Sequence, residues 1–519
     1  MACATKNAKV VAISLGSLQR LIALKAVPQS DVPLIIKTMS DSMSQGVDIQ
    51  LKILHTLLSL VTNFPEVHGV LLGDALLLCF RLQESKIAVV SSTAAATLRQ
   101  LVMFVVDKMV DEDRRDDLDP TLLSAVTLPD GSTISLGPSA KDAYSLEFLH
   151  KTFALELIES VLTNYHALFK KHNELILLLR HHLCPLLLKV LSDRAIFPLT
   201  LRCTRVAFLL LKQFSGELET EAEVFLMLFI RIISDEADGG EQHGPARPPW
   251  VRVLAMEIMR GLCGDAELIR NVWDRYDAHP SANSKVFTSL ITALNRLVTE
   301  KPSLLGVGSQ MFGIGVSHDA SGGLSPTSSS YSLDMGGMAG MVATAASATV
   351  SNVVGMMSGG AGLSLQGSTM KLQCIDQLDK ADSPSIPESY IYLLALQCLV
   401  SLCEGLAAFS APLYTSIVIQ RPRSAGEAPI RAPPALDISS LPQDDPQAKQ
   451  LQIVRDIIEN GWPALLAALS FIISTNLSDE LFVDVLASFQ AMTNVSGMLG
   501  LSTPRDAVSL AYRNLLSHR

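Results

Sequence analysis

LKILHTLLSLV, Leu51 to Val61, places apolar side chains at Leu51, Leu54, Leu57, Leu58 and Val61, the three-and-four spacing that lines one face of an α-helix. The stretch decides the fold because the chain keeps repeating its form. From Lys6 to Glu300, apolar phrases of helical period about twelve to twenty residues long alternate with polar or Pro/Gly breaks, as at Pro28, Pro33, Pro65 and Gly73. A helix hairpin of this kind buries its stripe only against its neighbours. The expectation is therefore all-α, a HEAT/armadillo-like α-solenoid with two flexible linkers.

Composition agrees. Aromatics make up 5% of the 519 residues, while Leu, Ala and Met, all good helix formers, are frequent. With 48% apolar and 18% charged residues the chain exceeds one compact domain. A net charge of -10 argues against a nucleic-acid partner, since neutralising phosphates takes clustered Lys and Arg. The eight cysteines, Cys3, Cys79, Cys184, Cys203, Cys263, Cys374, Cys398 and Cys403, form no CxxC pair and follow no signal peptide, so they read as buried free thiols in a reducing compartment. Mean hydropathy is +0.32, yet no uninterrupted apolar run reaches the about 18 residues of a membrane span. The nearest, Met341 to Met357, is diluted by Ala, Ser and Thr. Helices buried on two faces account for the excess.

The first block of helical phrases, 1–118, includes LLLCFRL (Leu76 to Leu82) and a small Ala94-Ala95-Ala96 patch that lets helix axes approach, and closes on the acidic run Asp111 to Asp119. That run reads as a solvated helix end, because it lacks the ligand spacing and turn glycine of a hard-cation loop. The second block, 139–300, holds about six helical segments. Thr220 and Glu223 form a capping box ahead of VFLMLFIRII, and Trp250 opens another helix. Residues 301–384 are expected to be a disordered Gly/Ser/Met-rich insertion, since 14 of the 31 glycines and 7 of the 17 methionines lie between Gly306 and Met370. A helical segment at 385–412, a Pro-rich linker at 420–449 and the start of a further helical region at 450–519 complete the division. In the last, Thr503 and Pro504 read as N-cap and first helical position.

Chemistry is harder to find. Neither GxxxxGK[ST] nor a strand-borne GxGxxG occurs, and Gly362-Leu363-Ser364 fails the GxSxG pattern of a hydrolase elbow. His181 and Cys184, three apart in Arg180-His181-His182-Leu183-Cys184, are too few for a metal site and read as structural. No catalytic residue, cofactor or metal is expected. Lys170 and Lys171, in Phe169-Lys170-Lys171-His172, are the candidate contact with a partner or an anionic membrane, against the plainer reading of a solvated helix end.

Taken in order, LLLCFRL, TAAATLRQLV (Thr93 to Val102), MVDEDR (Met109 to Arg114), AKDAY (Ala140 to Tyr144), FALELIESVL (Phe153 to Leu162), LCPLLLKVL (Leu183 to Leu191), LKQF (Leu211 to Phe214) and WVRVLAMEIMRGLC (Trp250 to Cys263) resemble the Mon-two (monensin-sensitivity) family, relatives of the large Arf guanine-nucleotide exchange factors. WPALLAALSF and LGLSTPRDAV continue the resemblance, whose specificity lies in the order of the segments. It implies a dimerisation and cyclophilin-binding (DCB) region, then a homology-upstream-of-Sec-seven (HUS) region, then the start of a downstream region. It also implies a peripheral scaffold at the trans-Golgi and endosomes supporting vesicle traffic, with an Arf-like small GTPase, a Dopey-type scaffold and a lipid flippase as partners and a possible homodimer. The catalytic Sec-seven domain is absent from the Mon-two branch, and the about three helical segments between Cys263 and Trp462 leave little room for one. Against the family's pattern the chain starts inside the first region. Only SLEFLHKT, Ser145 to Thr152, separates AKDAY from FALEL, which points to a segment missing from the gene model.

The leading expectation is thus a non-catalytic trafficking scaffold. An Arf-type exchange factor, which needs an acidic finger beside a hydrophobic groove, and a karyopherin-like cargo carrier are the alternatives.

Overall fold

The protein's structure is a computed structural model that describes residues 7–64, 67–118, 151–193, 195–234, 247–278, 284–300, 374–419, 434–442, 444–475, 477 and 479–517. Among these residues all regular structure is helical, with no strand. The chain divides into two compact units, Met1–Lys171 and His172–Arg519.

The first unit contains α1 (Ala8–Ala23), α2 (Val32–Ser42), α3 (Val47–Asn63), α4 (Gly69–Gln83), α5 (Ala88–Leu118) and α6 (Lys151–Lys171). Asn7 starts α1 by accepting hydrogen bonds from the Lys9 and Val10 amides through its side chain. Lys25, at a φ of 52°, turns the chain away at the other end. α3 packs against both α1 and α5, so its buried set is wider than the single face read from the sequence. Leu54, Leu57 and Val61 are buried as expected, Ile49, Ile53 and Leu60 join them, and Leu51 and Leu58 are half-buried. The Lys52 ammonium donates to the Ala12 carbonyl at 2.8 Å and ties α3 to α1. Of the alanine patch, only Ala94 is fully buried, on a helix that packs against both α3 and α4.

α6 belongs to this first unit although its sequence lies in the expected second block. Phe153 and Leu157 enter the first core, the Arg99 guanidinium meets the Glu156 carboxylate at 2.6 Å, and the Tyr165 hydroxyl donates to Asp107 at 2.6 Å. These contacts outweigh the chain break that the composition marks before residue 139. The stretch Ser145 to His150, where a missing segment is expected, lies outside the described residues.

The second unit opens with α7 (Asn173–Leu178), a π turn (Leu179–Leu183) and α8 (Cys184–Ser192). Then come α9 (Phe197–Phe214), α10 (Glu219–Ser234), α11 (Pro249–Cys263), α12 (Ala266–Tyr276) and α13 (Val286–Glu300). α14 (Ser389–Ile419), α15 (Pro446–Ile473), α16 (Asp479–Met498) and α17 (Ser502–Ser517) complete it. α9 packs on α8, α10 and α11, α10 on α13, and α11 on α14, and each helix covers the stripe left open by another.

Four helical stretches are long and apolar enough to cross a membrane: Ala88–Arg115, Asn173–Ser192, Ser389–Val418 and Pro446–Ile473. In the third, 78% of the most apolar window is buried inside the protein, the two-faced burial that the high hydropathy called for.

Several element ends depart from the sequence reading. α10 begins at Glu219, before Thr220, because the Ala222 amide already donates to the Leu218 carbonyl at 2.8 Å and the Tyr276 hydroxyl holds the Glu219 carbonyl at 2.7 Å. α14 runs on through Pro412 to Ile419, and α15 starts at Pro446, capped by Asp445, inside the expected linker. α17 begins at Ser502, one residue ahead of the expected cap. Cys374 and Ile375, expected within the disordered insertion, are fully buried. Residues 301–373 of that insertion lie outside the described residues.

Candidate interaction surfaces

Lys170 and Lys171 close α6, and both side chains are exposed. Their charge is partly used within the unit, for the Lys171 ammonium lies 3.5 Å from the Asp113 carboxylate of α5. The pair can still meet an anionic surface, at the cost of competing with that carboxylate.

His181 and Cys184 do not converge. Cys184 is buried and His181 exposed, because the π turn between α7 and α8 displaces the i,i+3 relation of a regular helix. Among the described residues no three His, Cys, Asp or Glu side chains form a group able to hold a metal ion.

The seven described cysteines are all buried. Burial pushes the Cys79, Cys184, Cys203 and Cys403 thiols up to about 12. Cys263 is raised too, first by its hydrogen bond with the Cys398 sulfur and then by burial. None of these five raised thiols presents a thiolate near neutral pH, so a nucleophilic role does not fit them.

Two buried carboxylates organise the second unit. Glu257 of α11 accepts from the Cys374 amide at 3.1 Å, the Ile375 amide at 2.9 Å and the Tyr390 hydroxyl at 3.0 Å. Arg205 of α9, also buried, donates to the Ile375 carbonyl at 3.0 Å. Asp277, just after α12, accepts from the Phe287 amide at 2.8 Å, the Thr288 amide at 3.1 Å and the Thr288 hydroxyl at 2.9 Å, and thereby caps α13. Both carboxylates spend their acceptors on the protein's own backbone, which is structural chemistry. Neither was singled out by sequence reasoning, since a lone acid in an apolar helix carries no motif. An apolar cavity between α9 and α13, lined by Leu226, Met259, Leu262 and Val272, lacks converging polar groups; Arg275 at its wall is bound to the Ser215 carbonyl at 2.7 Å.

What remains is helix surface. Exposed large apolar side chains gather on the run from α7 to α8, at Leu177, Leu178 and Leu186. Sequence periodicity registers such residues as apolar without saying which of a helix's two apolar faces finds a partner.

The comparisons with known proteins agree with a helical interaction module. Residues 1–113 match the family model for the Mon2/Sec7/BIG1-like dimerisation and cyclophilin-binding domain, DCB, and residues 128–284 match that for the Mon2/Sec7/BIG1-like HUS domain. The "Protein MON2 homolog" of Xenopus laevis is 30% identical, over 98% of this chain and 31% of its own length. That of Homo sapiens is 29% identical over 98% and 31%, and "Protein MON2" of Saccharomyces cerevisiae 26% identical over 100% and 29%. The chain thus spans about three tenths of the length of these relatives. Among solved structures, an engineered protein aligns along 99% of this chain and 96% of its own at 11% identity and a TM-score of 0.25, too low to bear on the fold. With the two regions matched in this order and relatives aligned along nearly its whole length, the chain belongs to the Mon2/Sec7/BIG1-like family through its DCB and HUS regions.

Proposed function

We propose that this chain is part of a non-catalytic peripheral scaffold in vesicle-mediated protein transport between endosomes and the trans-Golgi, where it engages an Arf-like small GTPase and a Dopey-type partner, and through them a lipid flippase. The observation that carries the reading is the succession of DCB and HUS regions in a chain that aligns with MON2 homologues over 98% of its length. The helical packing supports it, because the buried acids Glu257 and Asp277 are consumed by hydrogen bonds to the protein's own backbone. The DCB match gives the homodimer its support, and Lys170 and Lys171 are the proposed contact with a partner or membrane.

The test uses the purified 519-residue chain with Arf-like GTPases loaded with GDP or a GTP analogue. Preferential binding to the GTP-analogue form, without faster nucleotide release, is expected. Accelerated release would establish an exchange factor instead, and equal indifference to both forms would remove the GTPase from the proposal. For the membrane contact, K170E/K171E should weaken pelleting with anionic liposomes; unchanged pelleting removes those two residues.

A further inference from the structure

α11 and α14 pack side by side and run in the same direction, because the Tyr390 hydroxyl near the start of α14 reaches Glu257 at 3.0 Å, and further along both helices Cys398 meets Cys263. The two sulfurs are hydrogen-bonded to one another, and Cys263 and Cys398 have relative exposures of 1% and 0%. Close approach continues beyond the pair, where a Cβ placed on Gly405 of α14 would stand 3.6 Å from the Ala266 Cβ at the start of α12. Cys403 cannot take the place of either sulfur, since five residues of helix turn it about 140° away from Cys398.

An S–H···S hydrogen bond is weak, and a small apolar side chain would fill either position. What two thiols in contact add is the capacity to form a covalent bond between helices. In a reducing compartment they rest as thiols. The hydrogen bond with Cys398 and then burial keep the Cys263 thiol protonated, so reaction waits for local opening. The place for it is at hand: Cys263 is the last residue of α11 and the exposed Gly264 follows it, so fraying of one turn uncovers the sulfur while the rest of the helix stays packed.

We propose that Cys263 and Cys398 form a redox-sensitive latch, a reversible disulfide that joins α11 to α14 when glutathione disulfide accumulates. One thiol, ionised while the α11 end is open, attacks glutathione disulfide, forms a mixed disulfide and releases one glutathione. The second thiol gives up its proton and attacks the protein-side sulfur, the bond between Cys263 and Cys398 forms, and the second glutathione leaves. The pair loses two electrons and two protons, and the glutathione disulfide that gains them becomes two thiols. Because each reaction waits for opening, the latch responds to sustained oxidation, and it then holds together the two helices that Glu257 and Tyr390 join by hydrogen bonding.

The test equilibrates the full native chain in buffers of graded reduced-to-oxidised glutathione ratio, blocks the remaining thiols in denaturant, and reads the peptides by mass spectrometry without reduction. The expected product is a peptide pair joined through Cys263 and Cys398 and lighter than the two thiol peptides by two hydrogens, which dithiothreitol reverses. C263A and C398A should each abolish it, and C203A should leave it intact. Closing so long a loop should also raise the urea midpoint of the oxidised chain by about 1 M. Since the joined peptide is read in the unmodified chain, the test does not depend on either variant folding. Native oxidation that yields only glutathione adducts, or no product, overturns the proposal. So does a joined pair that persists under excess reduced glutathione, which would be a permanent disulfide, or one that leaves the urea midpoint unchanged, which would hold nothing together.

Discussion

The Ile375 amide donates to the Glu257 carboxylate at 2.9 Å, joining residues 118 positions apart. The chain that returns after residue 373 is fastened to α11 at this point, with the Cys374 amide and Tyr390 hydroxyl on the same carboxylate. Replacing Glu257 by Ala strands two buried amides and a phenol in an apolar core, which should cost about 3 kcal/mol or more. Equilibrium urea unfolding measures the loss. E257Q keeps an acceptor oxygen and should cost less, so equal losses for the two variants would show that volume, not hydrogen bonding, dominates at this site.

Asp277 performs a similar service at shorter range. Its carboxylate takes the Phe287 and Thr288 amides that the first turn of α13 leaves unpaired. D277A should destabilise the second unit by about 1–3 kcal/mol, with D277N recovering part of it. Hydrogen exchange read at Phe287 and Thr288 localises the effect: faster exchange there is expected, and protection unchanged at both amides would refute the capping role.

The contrast between these carboxylates and the helices that carry them marks what the sequence discloses. The helical period of Leu54, Leu57 and Val61 or of Trp250 to Cys263 is local, so α3 and α11 were legible. The burial of Cys374 and Ile375 depends on partners more than a hundred positions away, and a run of Gly, Ser and Met before them gave no sign of it. The placement of α6 with the first unit follows from Arg99–Glu156 and Tyr165–Asp107, pairings between separate segments that no spacing rule predicts. For the surfaces, the exposed Lys170 and Lys171 were visible as a charge pair. Leu177, Leu178 and Leu186 were not, because a two-sided apolar helix looks the same whether one side or both are covered.

The cysteines give a prediction about reactivity. Cys79, Cys203 and Cys403 are buried, with thiols held well above the usual range by desolvation, so attack on a maleimide waits for local opening. Mass spectrometry after mild labelling should find these three unmodified in the native chain and fully modified in denaturant. Rapid native labelling of Cys403, at the centre of α14, would mean that the packing of this helix against α11 and α16 opens readily.

Glu404, also on α14, ties stability to pH. Burial, with the neighbouring Asp484 carboxylate adding to it, raises its carboxyl from 4.5 to about 7. The folded state therefore holds this proton more tightly than the unfolded chain does. The associated stabilisation is complete below about pH 4.5, is lost as pH rises through the window up to about 7, and changes no further above it. Asp376 and Asp456 are raised mainly by burial and act with the same sign. One proton gives a slope of at most about 1.4 kcal/mol per pH unit, and the half-buried setting of Glu404 reduces it. Urea midpoints measured from pH 5 to pH 8 should fall with rising pH, and E404Q, which keeps the shape and removes the titration, should flatten the profile. A variant that retains the full parental slope would assign the pH dependence to other groups and free the α14–α16 contact from it.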